Sequence, residues 1–211
     1  MFLVLSFLFS VLLSPLSFLL WAVFACSLNC LLLMLYFIAI VTPKEINHQV
    51  LEWKHYMRDQ FQCKVALKSP AHITLISPFD MPPDLQPAMQ ELLLPFAARQ
   101  HGFPIQLKNF AAFKPRVIYV DVLPSAPLNE LRTALETTLL QSNRFPIKKE
   151  ERPFTPHVTI ANRDLHKEDF PAAWQHFQPI NYEASFTANA IALLRHNGHV
   201  WEIAHSFSLS N

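Results

Sequence analysis

The sequence predicts a mixed α and β protein built as two pseudo-symmetric β-α-β lobes around a central cleft. An internal repeat carries that prediction. LYFIAIVTPKEINHQVLEWKHYMRDQF, followed by HITL, parallels RVIYVDVLPSAPLNELRTALETTLL, followed by HVTI. Each copy opens on a strand-like apolar run that ends at proline, continues as a helix-length stretch and closes on a His-x-Thr strand. The spacings also agree, with 35 residues from Phe37 to His72 and 38 from Tyr119 to His157. Two such units imply two lobes related by an approximate two-fold axis.

Ahead of the repeat, residues 1–43 contain no charged side chain, and the first is Lys44. A run of about 20 apolar residues is enough to span a bilayer. It makes a poor secretory signal, because it has no basic leading region and is too long. Residues 1–33 are therefore expected to be either a membrane anchor or upstream sequence before a true start at Met34, with 34–211 as the folded domain. If the segment inserts, Lys44, Lys54 and Arg58 favour keeping the domain on the cytoplasmic side.

Within the domain, Leu35–Val41 reads as a buried strand stopped by Thr42-Pro43. Ile46, Val50, Trp53 and Met57 then recur at helical spacing. Pro82, Pro83, Pro87 and Pro95 predict a turn and an irregular helix over 80–95. In the second unit, Val117–Leu123 is the strand before Pro124, and Leu128, Leu131, Leu135 and Leu139 mark the helix. Residues 194–209 read as a hairpin around Asn197-Gly198, with Trp201 and Ile203 on one side.

Composition narrows the function. Lys+Arg 17 against Asp+Glu 16 gives a formal net charge of +1, too little for a strong field toward duplex nucleic acid. The two glycines, Gly102 and Gly198, form no phosphate-cradling loop, which argues against nucleoside triphosphate chemistry. Cys26, Cys30 and Cys63 include no CxxC pair, so no disulfide framework is expected and a reducing compartment is the default.

The chemistry-bearing residues are His72, Thr74, His157 and Thr159. Side chains alternate faces along a strand, so each histidine shares a face with its threonine, while Ile73, Leu75, Val158 and Ile160 point the other way. The branched residues can pack beneath helices and leave the two polar pairs facing each other across a groove. An imidazole gives or takes a proton near neutral pH. Two of them flanking a phosphodiester suit in-line displacement, one as base and one as acid. Each threonine hydroxyl can donate to a phosphoryl oxygen where charge accumulates. Neither a metal nor any other cofactor is required.

Other readings compete. Zinc sites use three or four closely spaced ligands, and two histidines 85 residues apart are weak grounds for one. Cys63 lacks an evident activating partner and no GxSxG is present. The histidines could be purely structural. His48, His55, His196 and His199 lack the His-x-Thr context and are expected to be solvated. Lys68, Arg116, Lys148, Lys149 and Arg152 could line the cleft mouth, with solvated charge as the simpler reading of each.

The paired HITL and HVTI motifs resemble those of the 2H phosphoesterase superfamily, specifically its 2′-5′ RNA ligase / RNA 2′,3′-cyclic phosphodiesterase group. RPFTPHVTIA is similar to that group's second motif and PRVIYVDV to its middle strand, and the likeness spans about residues 35–209. It implies a bilobal α+β fold with antiparallel sheets facing a central cleft. It also implies opening of 2′,3′-cyclic phosphates, and in some members 2′-5′ joining of RNA ends. By the same likeness His72 and His157 are the acid/base pair, in either order, and Thr74 and Thr159 bind the phosphate. The expected partners are RNA 2′,3′-cyclic phosphate ends or small cyclic nucleotides, plus a membrane if residues 1–33 insert. The expected state is a cytoplasmic monomer, or a membrane-anchored one with its domain in the cytoplasm. The alternative is a non-catalytic tethered module that binds such ends. Asn162 stands where many members carry arginine, so no role is given to Arg163. The apolar N-terminus is likewise foreign to the group, which favours a start at Met34.

Overall fold

The computed structural model describes residues 33–210. The apolar segment expected over residues 1–33 lies outside them except for Leu33. Among the described residues, no helix is long and apolar enough to cross a membrane.

The first repeat unit folds as strand β1 (Met34–Val41), helix α1 (Lys44–Phe61) and strand β2 (His72–Met81). Pro43 precedes the helix, and its carbonyl accepts the first-turn bond from Asn47 N at 2.8 Å. A left-handed Gln62 ends α1. Helix α2 (Gln86–Ala97) follows a short turn, as the prolines predict, and carries Pro95 inside it. The second unit folds as β4 (Val117–Val122), α3 (Ala126–Ser142) and β5 (His157–Ala161), preceded by β3 (Phe103–Phe113). Ser125 caps α3 by accepting from Leu128 N at 3.4 Å, and Asn143 closes it in the left-handed region. Helix α4 (Phe170–Phe177) and strands β6 (Glu183–Ala188), β7 (Ala190–His196) and β8 (Trp201–Ser208) complete the described chain.

The fold is α+β with antiparallel strands, as expected, and the strands of the two lobes run together into one sheet. All eight strands form one sheet in the order β6-β3-β4-β5-β2-β1-β7-β8. Its halves meet at the β2–β5 pair, where Ile73 lies opposite Val158. Pairing these strands satisfies backbone groups that two separate sheets would leave at their edges. The pseudo-two-fold axis therefore passes through the sheet beside Ile73 and Val158.

The helices cover one face of that sheet. Helix α1 packs across β5 and α3 across β2, so each helix braces the other unit's His-x-Thr strand. The expected leucine stripe of α3 is fully buried, with Leu128, Leu131, Leu135 and Leu139 each at 3% exposure or less. The α1 stripe differs in one place. Lys54, not Trp53, joins Ile46, Val50 and Met57 as its buried residue, while Trp53 lies half-buried against Phe110 and Tyr182. Ile73, Leu75, Val158 and Ile160 enter the same core, where burying each side chain is worth roughly 1.5–3 kcal/mol. On the opposite face lies a smaller cluster of Phe37, Ala39, Ala192 and Leu194, flanked by Val41 and Trp201.

Candidate functional site

Antiparallel register around Ile73–Val158 sets His72 opposite Thr159 and Thr74 opposite His157. The four side chains thus occupy the corners of one patch, on the face away from the buried Ile73, Leu75, Val158 and Ile160. All four are half-buried. Diagonal neighbours across such a pair sit about 7–8 Å apart at the backbone, so the two histidines can bracket one small group. The sequence-predicted residues are brought together, though by direct strand pairing rather than across a gap between lobes.

Each motif orients its own ring. His72 Nδ1 lies 2.7 Å from the carbonyl oxygen of Pro70, and His157 Nδ1 lies 2.8 Å from that of Thr155. A carbonyl only accepts, so each Nδ1 carries the hydrogen and donates it. That leaves Nε2 as the atom that exchanges a proton. Aromatic side chains wall the rings in. Phe37 lies 4.8 Å from His72 and meets Trp201 edge-on at 4.6 Å. Phe113 and Tyr119 stand 5.1 Å and 5.0 Å from His157.

Burial pushes His72 down to about 4, against the Pro70 hydrogen bond, and the charges of Lys54 and His157 push the same way. His157 is also lowered by burial, while its bond to Thr155 and the Asp121 carboxylate oppose the shift. Both imidazoles are therefore held toward the neutral form by their surroundings.

The segment entering β2 is pinned at three consecutive residues. Lys54 Nζ donates to the Ser69 carbonyl at 3.0 Å. The His72 ring holds Pro70, and Ala71 N donates to Asn47 Oδ1 at 2.7 Å. The Ala71 carbonyl accepts from Thr42 N at 3.0 Å and from its hydroxyl at 3.2 Å. Lys54 is only 3% exposed, and burial pushes its ammonium down to about 8. Thr42, Asn47 and Lys54 escaped the sequence reading. Lys54 was detectable, since it stands four residues after Val50 and three before Met57 and must share their face. Asp121 also escaped it; the register places Asp121 directly across from His157.

A cavity of about 460 Å³ opens beside the patch, lined by Thr74, His157, Phe113, Arg132, Arg152 and Phe154 among others. A neighbouring one of about 410 Å³ shares Ser77, Arg132 and Glu150 and adds Lys148 and Lys149. Arg152, Lys148 and Lys149 thus lie near the site, whereas Lys68, Arg116 and Arg163 are exposed elsewhere. Arg132 is mostly buried and pairs with Glu136 at 2.9 Å. The Cys63 thiol is buried and pushed up to about 11, first by burial and then by Asp164 and Asp169. Such a thiol makes a poor nucleophile. His48 and His199 are exposed as expected, but His55 and His196 are half-buried. His196 sits edge-on to Trp201 at 5.0 Å, which corrects its solvated reading. Among the described residues, no three histidine, cysteine, aspartate or glutamate side chains gather as a metal-binding group.

Comparison with known proteins gives the family and the fold. The family model described as the 2′-5′ RNA ligase superfamily matches residues 42–200. An Oceanobacillus iheyensis protein carrying a phosphoesterase name is 31% identical over 139 residues, which cover 65% of this chain and 75% of that protein. A Geobacillus stearothermophilus protein named RNA 2′,3′-cyclic phosphodiesterase is 31% identical over 117 residues; these cover 54% of this chain but only 33% of that relative. Among solved structures, Escherichia coli LigT in complex with 3′-AMP superposes with a TM-score of 0.62 at 19% identity, covering 85% of this chain and 100% of that one. A Thermus thermophilus protein, TT0787, gives a TM-score of 0.60 at 20% identity, covering 83% of this chain and 98% of that one. At that identity the structural likeness speaks for the fold.

Proposed function

The chain belongs to the 2′-5′ RNA ligase superfamily, and from that premise we propose that it is a metal-independent cyclic phosphodiesterase. Its substrates are 2′,3′-cyclic phosphates on RNA ends or on small nucleotides. The observation that carries this reading is the single patch of His72, Thr159, Thr74 and His157 around the Ile73–Val158 pair.

A water molecule attacks phosphorus while one histidine Nε2 removes its proton. The ring P–O bond breaks, and the other histidine's Nε2–H protonates the departing ribose oxygen. Thr74 and Thr159 donate to the non-bridging oxygens, whose charge grows in the transition state. With an RNA 5′-hydroxyl in place of water, attack on the cyclic phosphorus and departure of the 3′-oxygen would leave a 2′-5′ linkage, using the same groups. The working unit is residues 34–211, acting as a cytoplasmic monomer. With a net charge of +1 the protein grips a terminal nucleotide rather than a long RNA footprint.

The test offers an oligoribonucleotide ending in a 2′,3′-cyclic phosphate to the full chain, in EDTA, beside His72→Ala and His157→Ala. Ring opening by wild type alone is expected. The proposal fails if folded wild type opens neither this end nor small 2′,3′-cyclic nucleotides. It also fails if either alanine variant keeps the wild-type rate.

A further inference from the structure

The two repeat units differ in the segment that leads from helix to His-x-Thr strand. Residues 62–71 join α1 to β2, whereas the longer run of residues 143–156 joins α3 to β5. The longer connection carries Lys148 and Lys149, followed by Glu150, Glu151 and Arg152. Glu136 fastens it. This carboxylate is the eleventh residue of α3, as Lys54 is of α1, and both are buried. Lys54 holds the Ser69 carbonyl ahead of β2. Glu136 Oε1 accepts from Glu150 N and from the Arg132 guanidinium, each at 2.9 Å. Glu150 in turn reaches β2, where the Ser77 hydroxyl donates to it at 3.4 Å. The two lysines therefore stand directly before a fixed point of the backbone.

Strand β2 bends beside this segment. Ile38 pairs with Ile76 and Ala39 with Thr74, which leaves Leu75 as the extra residue of a bulge. Leu75 and Ile76 are both buried in consequence, and exposure resumes at Ser77 and Pro78. Between this part of β2 and residues 146–150 lies the cavity of about 410 Å³. It continues into the cavity beside His157, because Leu75, Ser77, Pro78, Arg132 and Glu150 line both. One groove thus runs from Thr74 and His157, past Phe154 and Arg132, to Lys148 and Lys149. Ser77 stands three residues beyond Thr74, about 10 Å along the strand.

Charge is distributed unevenly along this groove. Arg132 is paired with Glu136 at 2.9 Å, and Arg152 with Glu150 at 3.1 Å. Lys148 and Lys149 are exposed and form no ion pair among the described residues; the exposed Asp80 is the carboxylate that opposes them in the cavity. Two unpaired ammonium groups against one carboxylate leave the far end positive. The near end is aromatic, with Phe113 and Phe154 beside His157. A nucleoside suits the near end and a phosphate the far one.

Building on the cyclic phosphodiesterase reading, we propose that the second cavity is a subsite for the phosphate on the 5′ side of the reacting nucleotide, held by Lys148 and Lys149. With the cyclic phosphate on the His-Thr patch, its nucleoside spans the aromatic stretch and its 5′-phosphate reaches the lysines. A chain of net charge +1 thereby favours a phosphate-bearing end, by concentrating unpaired positive charge one nucleotide from the chemistry.

The experiment measures kcat/KM of the full chain on three substrates that share one base. They are adenosine 2′,3′-cyclic phosphate, its 5′-phosphorylated form, and a dinucleotide ending in the same cyclic adenosine. The added phosphate should raise kcat/KM about tenfold, the size that two exposed ion pairs support, and the gain should shrink as salt rises. In Lys148→Gln/Lys149→Gln the ratio of kcat/KM with and without that phosphate should fall to near one. Both side chains are exposed, so the double variant should fold. Lys68→Gln/Arg116→Gln removes the same charge elsewhere and should keep the ratio. A gain on both phosphate-bearing substrates assigns the subsite to RNA ends, and a gain on the 5′-monoester alone assigns it to free nucleotides. A gain on the dinucleotide alone would come from the added nucleoside and overturns the phosphate subsite. It is equally overturned by no gain in wild type, by a gain that the double lysine variant keeps, or by a ratio lost in both double variants. Each of these leaves the phosphodiesterase reading intact. A wild type inactive on all three substrates sinks that reading, and the subsite with it.

Discussion

A lysine that is 3% exposed on the apolar stripe of α1 gives a stability prediction that does not depend on any activity. Lys54 keeps one bond, to the Ser69 carbonyl, and burial lowers it to about 8 from the usual lysine value. In the unfolded chain it titrates at about 10.4, and the difference is worth roughly 3 kcal/mol. The sign follows from proton counting. Between about pH 8 and about pH 10.4 the unfolded chain binds more protons at this residue, so stability rises with pH across that window. Below about pH 8 the lysine is charged in both states and the burial cost is borne in full. Lys54→Met removes that cost but leaves the Ser69 carbonyl without its donor, a loss of about 1 kcal/mol. The variant should therefore gain on wild type by about 2 kcal/mol at about pH 7, and the gain should vanish and reverse as pH climbs past about 10. Urea unfolding of both proteins at several pH values between about 7 and about 10.5 measures this, because every other titrating group cancels in the difference. Parallel stability curves would refute the reasoning, since they would mean that the ammonium is solvated in the folded state.

Four further outcomes follow. Thr74→Val or Thr159→Val should lower kcat by about 10–1000-fold in the ring-opening assay, since each removes a donor to the phosphoryl oxygens; an unchanged kcat would exclude that hydroxyl from the mechanism. The rate should be bell-shaped in pH, with its acidic limb below imidazole's ordinary value of about 6.5, because burial lowers both rings. A flat profile from about pH 5 to 8 would count against paired imidazoles. Exhaustive chelation should leave the rate unchanged, and activity lost to EDTA and restored by a divalent cation would overturn the metal-independent scheme. Ile73→Ala, at the fully buried centre of the β2–β5 junction, should cost about 2–5 kcal/mol in urea unfolding; a loss under about 1 kcal/mol would mean that the junction tolerates a void.

Much of the candidate site could be read in the sequence because its signals are local. The strand ending at Thr42-Pro43, the leucine stripe of α3 and the two His-x-Thr strands announce themselves within a few residues. What escaped depends on partners far along the chain. Nothing near His72 or His157 says that their strands pair with each other. Asp121 gains its place beside His157 only through the β4–β5 register. Strand β3 is different, since its signal was present. Phe103, Ile105 and Leu107 are buried while Pro104, Gln106 and Lys108 are exposed, an alternation that can be read directly from the sequence. The fourth helix has only eight residues, too few for a helical period to stand out.

A site made from two equivalent halves faces a chemical problem. General acid and general base must be in opposite protonation states at the same moment, yet perfect two-fold symmetry would give both histidines the same proton affinity. The half of the structure that places the groups, namely the strand pair and the ring-to-carbonyl bonds, is indeed nearly symmetric, with Nδ1 contacts of 2.7 Å and 2.8 Å. The half that sets their charge is not. Val41 stands where Asp121 does, and a buried lysine stands where a buried glutamate does. Geometry and electrostatics are thus specified by different residues, so exchanging the flanking residues should alter the pH response while leaving the patch intact. The four motif residues are the part of the site that the symmetry preserves.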